Sequence, residues 1–243
     1  AASDVYKRQA HDGRHIAFAI APRDGGQTEI RIVDTASGEP PRHLASLDGW
    51  DLTVLDWSLD DSKLLLRARL SAVESRLYVA DVRKGTLTQL VPTPVVAKPQ
   101  PRKRLRGRFA AAPPPPVVVA KPVVVGDAQF SRDGLGVYFV STQGADFAGL
   151  HYIDLFTHQG QTLAPQDHAD IDALCQSSDG RHLAYTLNEG GYSRLVVHDV
   201  KQRVDLLPSL PAGSVIRGMA FDTAGNRLAL SVESARTPRD VYV

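Results

Sequence analysis

The sequence predicts an all-β chain: a partial β-propeller of about five four-stranded blades, the last incomplete, with a Pro-rich inserted loop. Three observations predict it. A polar turn of the Asp-Gly kind recurs five times between short apolar strands. After each of the first four turns, an apolar strand ending in Asp follows at a nearly constant distance. Save for one longer interval, successive turns are separated by roughly the length of a propeller blade, about 45 residues.

In chain order the turns are His11-Asp12-Gly13, Leu59-Asp60-Asp61, Arg132-Asp133-Gly134, Ser178-Asp179-Gly180 and Thr223-Ala224-Gly225. The strands that follow them occupy 16–20, 64–70, 137–140, 183–187 and 228–232. The last residue of each turn is expected at positive φ, which Gly adopts freely and Asp tolerates, so Asp61 can stand in the glycine slot. The Asp-ending strands are Ile30-Arg31-Ile32-Val33-Asp34, Leu77-Tyr78-Val79-Ala80-Asp81, Leu150-His151-Tyr152-Ile153-Asp154 and Leu195-Val196-Val197-His198-Asp199. An Asp opening a turn can accept backbone N–H bonds, so these four carboxylates read as structural. A fourth strand comes next, clearest at 86–91 after Arg83-Lys84-Gly85. An all-β sandwich is the alternative, but it does not repeat its turn chemistry so regularly.

The interval from Asp61 to Gly134 is more than half as long again as the next one, from Gly134 to Gly180. The surplus lies in 92–122, which holds Pro113-Pro114-Pro115-Pro116, the basic run Arg102-Lys103-Arg104-Leu105-Arg106-Gly107-Arg108, and Val-Ala-Lys-Pro twice. Proline removes ladder donors and like charges repel, so the segment reads as a mobile, disordered insertion between blades; docking through polyproline or the basic run is the other reading. Residues 1–9 lack an apolar signal core and do not match the repeat; they read as a non-native leader joined to a propeller fragment of 10–243. The chain stops at Asp240-Val241-Tyr242-Val243, where the third strand of blade five begins, so both ends read as truncated.

Composition narrows the function classes. Twenty-eight basic side chains balance 27 acidic ones, so neither nucleic acid nor an anionic membrane is indicated as a partner. No run of apolar residues is long enough to span a membrane. Cys175 is the single cysteine, which suits the cytoplasm and is compatible with the bacterial periplasm.

Longer stretches carry a resemblance. Leu52-Thr53-Val54-Leu55-Asp56-Trp57-Ser58 and Ser71-Ala72-Val73-Glu74-Ser75-Arg76-Leu77-Tyr78 resemble the propeller of bacterial prolyl oligopeptidase-family serine peptidases. So do Asn188-Glu189-Gly190-Gly191-Tyr192-Ser193-Arg194-Leu195 and Leu210-Pro211-Ala212-Gly213. Ser234-Ala235-Arg236-Thr237-Pro238-Arg239-Asp240-Val241-Tyr242-Val243 is similar to the stretch shortly before the hydrolase domain of that family. The order and spacing of these stretches carry the resemblance, not any one motif. The sequence departs from the pattern at Gln176, which stands where Trp57, Phe130 and Phe221 stand in other blades and puts the packing of blade four in question. None of the five turns has the proline that the family often places second.

The resemblance implies a propeller that caps an α/β-hydrolase domain and restricts its access to peptides. Peptide substrate would then be met through that domain, which would carry a Ser-Asp-His triad with its serine on a strand-to-helix elbow. This chain contains no G-x-S-x-G, so no catalytic residue carries over and the chain alone is expected not to hydrolyse peptides. The competing readings are a Tol-system-like periplasmic propeller acting as a protein–protein binding module, and a scaffold without a site of its own.

Arg67, Arg69 and Glu74 are the substrate-facing candidates, because they lie on or just after a long second strand from which a charged side chain can reach the cavity facing a hydrolase domain. The plainer reading makes them a solvated strand face and a turn-stabilising Glu. Cys175 sits on a first strand beside the channel, without a basic partner in sequence, and reads as a structural thiol. The eight histidines show no zinc-site spacing, with His15 and His182 at equivalent exposed turn positions, and no metal or other cofactor is indicated.

Overall fold

A computed structural model describes residues 7–21, 27–92 and 122–243. It contains five antiparallel sheets in sequence order. The first sheet is β1 (Lys7–Gln9), β2 (His15–Ile20), β3 (Glu29–Asp34) and β4 (Arg42–Ser46). The second is β5 (Asp51–Trp57), β6 (Lys63–Arg69), β7 (Ser75–Asp81) and β8 (Leu87–Val91). The third comprises β9 (Val125–Phe130), β10 (Gly136–Ser141), β11 (Gly149–Asp154) and β12 (Gly160–Ala164). The fourth is built from β13 (Asp170–Gln176), β14 (His182–Glu189), β15 (Tyr192–Asp199) and β16 (Val204–Leu206), and the fifth from β17 (Val215–Phe221), β18 (Leu228–Glu233) and β19 (Asp240–Tyr242). Each sheet is one repeat, folded as a meander. The inner strands β1, β5, β9, β13 and β17 pack side by side, and the sheets form a partial propeller that does not close.

Both faces of an inner sheet are buried, and the strand pattern follows from that. Leu64 and Leu66 pack toward the first sheet with Ala17, Ile30 and Ile32. Leu65, between them, packs toward the third sheet with Val125, Phe130, Val137 and Phe139. The alternation continues: Tyr138 and Val140 meet Leu183 and Tyr185, while Ala184 and Leu195 meet Leu230 and Val232. A strand buried on both faces therefore reads as the unbroken run Leu64-Leu65-Leu66. Every sheet loses its neighbours' apolar contacts if the stack is separated.

The turns take the expected form. Gly13, Asp61, Gly134, Gly180 and Gly225 all have positive φ, at 70°, 54°, 74°, 71° and 74°. In three blades a Ser before the turn donates to its Asp: Ser58 to Asp60, Ser131 to Asp133 and Ser177 to Asp179, at 2.6, 2.5 and 2.6 Å. The Asp-ending strands also behave alike. Asp81, Asp154 and Asp199 each accept the N–H groups two and three residues on, and Asp34 accepts that of Ala36.

One device repeats between blades. The next-to-last residue of an inner strand accepts the backbone N–H of the last residue of the following inner strand. Asp56 takes the N–H of Phe130 at 2.9 Å, Gln129 that of Gln176 at 3.1 Å, and the Cys175 sulfur that of Phe221. In the first blade the direction differs, because the Trp57 indole donates to the Arg8 carbonyl at 3.0 Å.

Three positions differ from the sequence reading. Lys7–Gln9, assigned to the leader, form β1 and pair with 16–18 of β2, so the repeat includes them. Their all-polar composition hid the strand, since its side chains are exposed. Gln176 does not loosen blade four: it is 4% exposed, and its Oε1 accepts the Arg132 N–H at 2.8 Å. His15 and His182 are half-buried at strand starts, and the His182 ring stacks on Phe221 of the next blade. The Pro-rich insertion, apart from Pro92 and Pro122, lies outside the described residues.

Candidate functional site

The inner strands carry a bulge at matching places. Strand pairing slips between Val54 and Asp56, between Ile171 and Ala173, and between Ile216 and Gly218, leaving Leu55, Asp172 and Arg217 unopposed. In the third blade, Gly126 and Asp127 together face Val140. A bulge re-aims the side chain at the extra residue, and here Leu55, Asp127 and Asp172 turn into the space at the propeller axis. A Cβ on Gly126 would lie 3.3 Å from Val140 Cγ1, so a side chain at this bulge would press on β10.

The resulting axial cavity has a volume of about 520 Å³ and is open to solvent. It is lined by Lys7 and Arg8 of β1, Thr53, Val54 and Leu55 of β5, Arg67 of β6, Gly126 and Asp127 of β9, and Asp172 of β13. Four blades thus contribute to one polar site. Three cations and two carboxylates meet there, and the apolar groups are confined to one strand.

Burial pushes the Asp127 carboxyl above the usual carboxylate range. The opposing influences are N–H groups of Leu174 at 3.3 Å and Ala128 at 3.0 Å, and the charges of Arg8 and Arg67. Asp172 is also shifted upward, by burial first and then by the neighbouring Asp170, against a hydrogen bond from Asn188. Below the cavity, burial likewise raises Asp56, while the Phe130 N–H and Arg132 oppose the shift. Carboxylates held this way are acceptors that take a proton more readily than a surface Asp.

The sequence candidates separate in space. Arg67 lines the cavity, and its Nη1 donates to the Gly126 carbonyl at 3.4 Å. Arg69 lies further along β6, exposed, with its guanidinium 3.7 Å from Asp51. Glu74 sits in the β6–β7 turn, 3.5 Å from Arg76, and its carbonyl accepts the N–H groups of Leu70 and Ser71. The Arg76 guanidinium in turn lies over the Trp50 ring at 4.5 Å. Lys7, Arg8, Asp127 and Asp172 are cavity residues that the sequence reading did not single out. The turn spacing gave a signal for Asp127 and Asp172, because both lie a few residues before a repeat turn, on the inner strand.

Cys175 is half-buried, and burial raises its thiol. With the sulfur accepting the Phe221 N–H, it serves as one of the inter-blade contacts. Among the described residues, no group of three His, Cys, Asp or Glu side chains is arranged to hold a metal ion. No helix among them is long and apolar enough to cross a membrane.

No family model and no curated protein matches the chain. Solved structures do. A prolyl endopeptidase structure superposes with a TM-score of 0.72 at 16% identity, over 98% of this chain and 33% of that one. Prolyl oligopeptidase B from Galerina marginata, bound to a 35mer hydrolysis and macrocyclization substrate, gives 0.69 at 12% identity, over 98% and 31%. TolB from Acinetobacter baumannii gives 0.61 at 14% identity, over 97% and 52%. The likeness shows the β-propeller fold that these proteins share, and the chain spans about a third to a half of their lengths.

Proposed function

We propose that this chain is the non-catalytic propeller of a serine peptidase of the prolyl oligopeptidase family, admitting and orienting peptides for an α/β-hydrolase domain of the same protein. The axial cavity carries the reading. An extended peptide presents carbonyl acceptors and N–H donors in alternation, and the cavity offers Arg67, Arg8 and Lys7 as donors and Asp127 and Asp172 as acceptors. Arg67 is the residue placed against the peptide chain. Arg69 and Glu74, beyond it on the same strand and turn, would meet the peptide only outside the cavity. Superposition on peptidase propellers at 0.72 and 0.69, against 0.61 for TolB, supports the same reading.

A second reading, a protein-binding propeller of the Tol type, draws on the TolB likeness. The reading frame that encodes the chain separates the two. The peptidase reading expects a downstream domain with a G-x-S-x-G elbow, followed in order by an Asp and a His. A stop codon within about one blade length, roughly 45 residues, and no such elbow would overturn it and favour the Tol type.

A further inference from the structure

A second cavity, of about 520 Å³, opens between blades three and four at the outer part of the sheets, away from the axis. That volume falls in the range of small-molecule sites, about 300–1,000 Å³. Tyr138 and Tyr152 form one wall, with ring centroids 5.1 Å apart and planes tilted by 53°. Arg203, His198 and Asp205 of the fourth blade face them, and Gln161 closes one side.

Two side chains give this crevice its polar character. Tyr138 is 8% exposed, yet its hydroxyl has no hydrogen-bond partner among the described residues. The hydroxyl opens on the cavity, where it can both donate and accept. Arg203 is the second. It occupies the left-handed position of its turn, φ 56°, where the first two blades place Gly38 and Gly85, both at 69°, and the third places His158, at 57°. An arginine there bears a backbone penalty that glycine does not. Its backbone N–H closes the turn on the Asp199 carbonyl at 2.8 Å, and its exposed guanidinium lines the crevice.

The chemistry of the lining selects the ligand. Arg203 only donates, Asp205 only accepts, and Tyr138 and Gln161 do both. His198 Nδ1 pairs with Asp205 at 2.7 Å, and Asp133 acts on both tyrosines, so the crevice holds charges of both signs rather than a cationic cradle. Adjacent hydroxyls, each donating and accepting, match such a mixture, and the tyrosine rings supply faces for a patch of C–H groups. We propose that the crevice between blades three and four is a binding site for a neutral sugar, with Tyr138 and Arg203 hydrogen-bonding its hydroxyls. The site is separate from the axial cavity and independent of the peptidase reading.

Two variants test it without endangering the fold. Tyr138→Phe removes a hydroxyl that holds nothing internally. Arg203→Gly installs the residue that two sister blades already use. Saturation-transfer NMR on the intact chain, with methyl glycosides of glucose, galactose, mannose and N-acetylglucosamine, should detect binding of at least one. Each variant should weaken that binding at least tenfold, and the Arg203→Gly unfolding temperature should equal or exceed that of the parent. Absence of signal from every glycoside overturns the proposal, as does undiminished binding in both variants. Acetate or inorganic phosphate binding through Tyr138 and Arg203, with no glycoside bound, would overturn it in favour of an anion site.

Discussion

The Asp61 carboxylate joins the first two blades: its two oxygens accept the backbone N–H groups of His11 and Asp12, each at 2.9 Å. Asp61 stands at φ 54°, in the slot where three of the other four turns use Gly at the same step of an Asp-Gly pair. Glycine would relieve the backbone there and release both N–H groups, so the two effects oppose each other.

Hydrogen bonds to a charged group contribute about 1.5–3 kcal/mol each when well shielded, and the left-handed backbone costs a side chain roughly 1–2 kcal/mol. Asp61→Gly is therefore expected to destabilise the chain by about 1–2 kcal/mol, the bonds being partly exposed. Denaturant unfolding monitored by tryptophan fluorescence measures this directly. A variant as stable as the parent would mean that the contact between blades contributes no more than the backbone cost it offsets.

Gln176→Phe installs the aromatic residue that three of the other four inner strands carry at this place, Trp57, Phe130 and Phe221. Pattern alone predicts a gain in stability. The contacts predict a loss of about 1–3 kcal/mol, because the Arg132 N–H at 2.8 Å would be left without its acceptor. Thermal unfolding decides between the two, and a raised midpoint would show that packing outweighs the lost bond.

Asp56 gives a pH signature. Its folded pKa is raised above the unfolded value, chiefly by burial. Folding then favours the protonated form, so this group's stabilisation is full below the unfolded value of 3.8 and is lost as pH rises through the folded one. Relative to Asp56→Asn, the parent should therefore gain stability as pH falls from 7 toward 4. Parallel urea titrations of the two proteins check it. A pH-independent difference, or one that shifts the other way, would show that burial does not control this carboxyl.

Much of this architecture was legible in the sequence because turn chemistry is local. The Asp-Gly turns and the Asp-ending strands each close on their own backbone within a few residues, so their spacing alone predicts the blades. Lys7 and Arg8 escaped notice because an inner strand lying exposed beside the axis carries no apolar signature. Gln176 misled for a related reason: its partners, Gln129 and Arg132, belong to the preceding blade, and no local pattern announces them. The cavity itself depends on bulges, which shift one residue out of register and re-aim Asp127 and Asp172. A two-residue alternation has no way to show that.

Arg67 lines the axial cavity, and the pairing of β5 with β6 explains its position. Thr53 is its partner across the strands, just before the bulge at Leu55, and both residues line the axial space. Arg69 pairs with Asp51, two residues further along, where the strand has left the cavity.

The peptidase assignment is tested most directly by labelling the polypeptide that carries this chain in its native cells. Antibodies raised against the purified chain should recover that polypeptide after treatment of the lysate with a serine-directed fluorophosphonate. The account predicts a labelled band larger than the 26.3 kDa of the chain itself, and no labelling of the isolated chain, which has no G-x-S-x-G elbow. Recovery of a polypeptide that stays unlabelled under conditions where other serine hydrolases in the lysate react would contradict it.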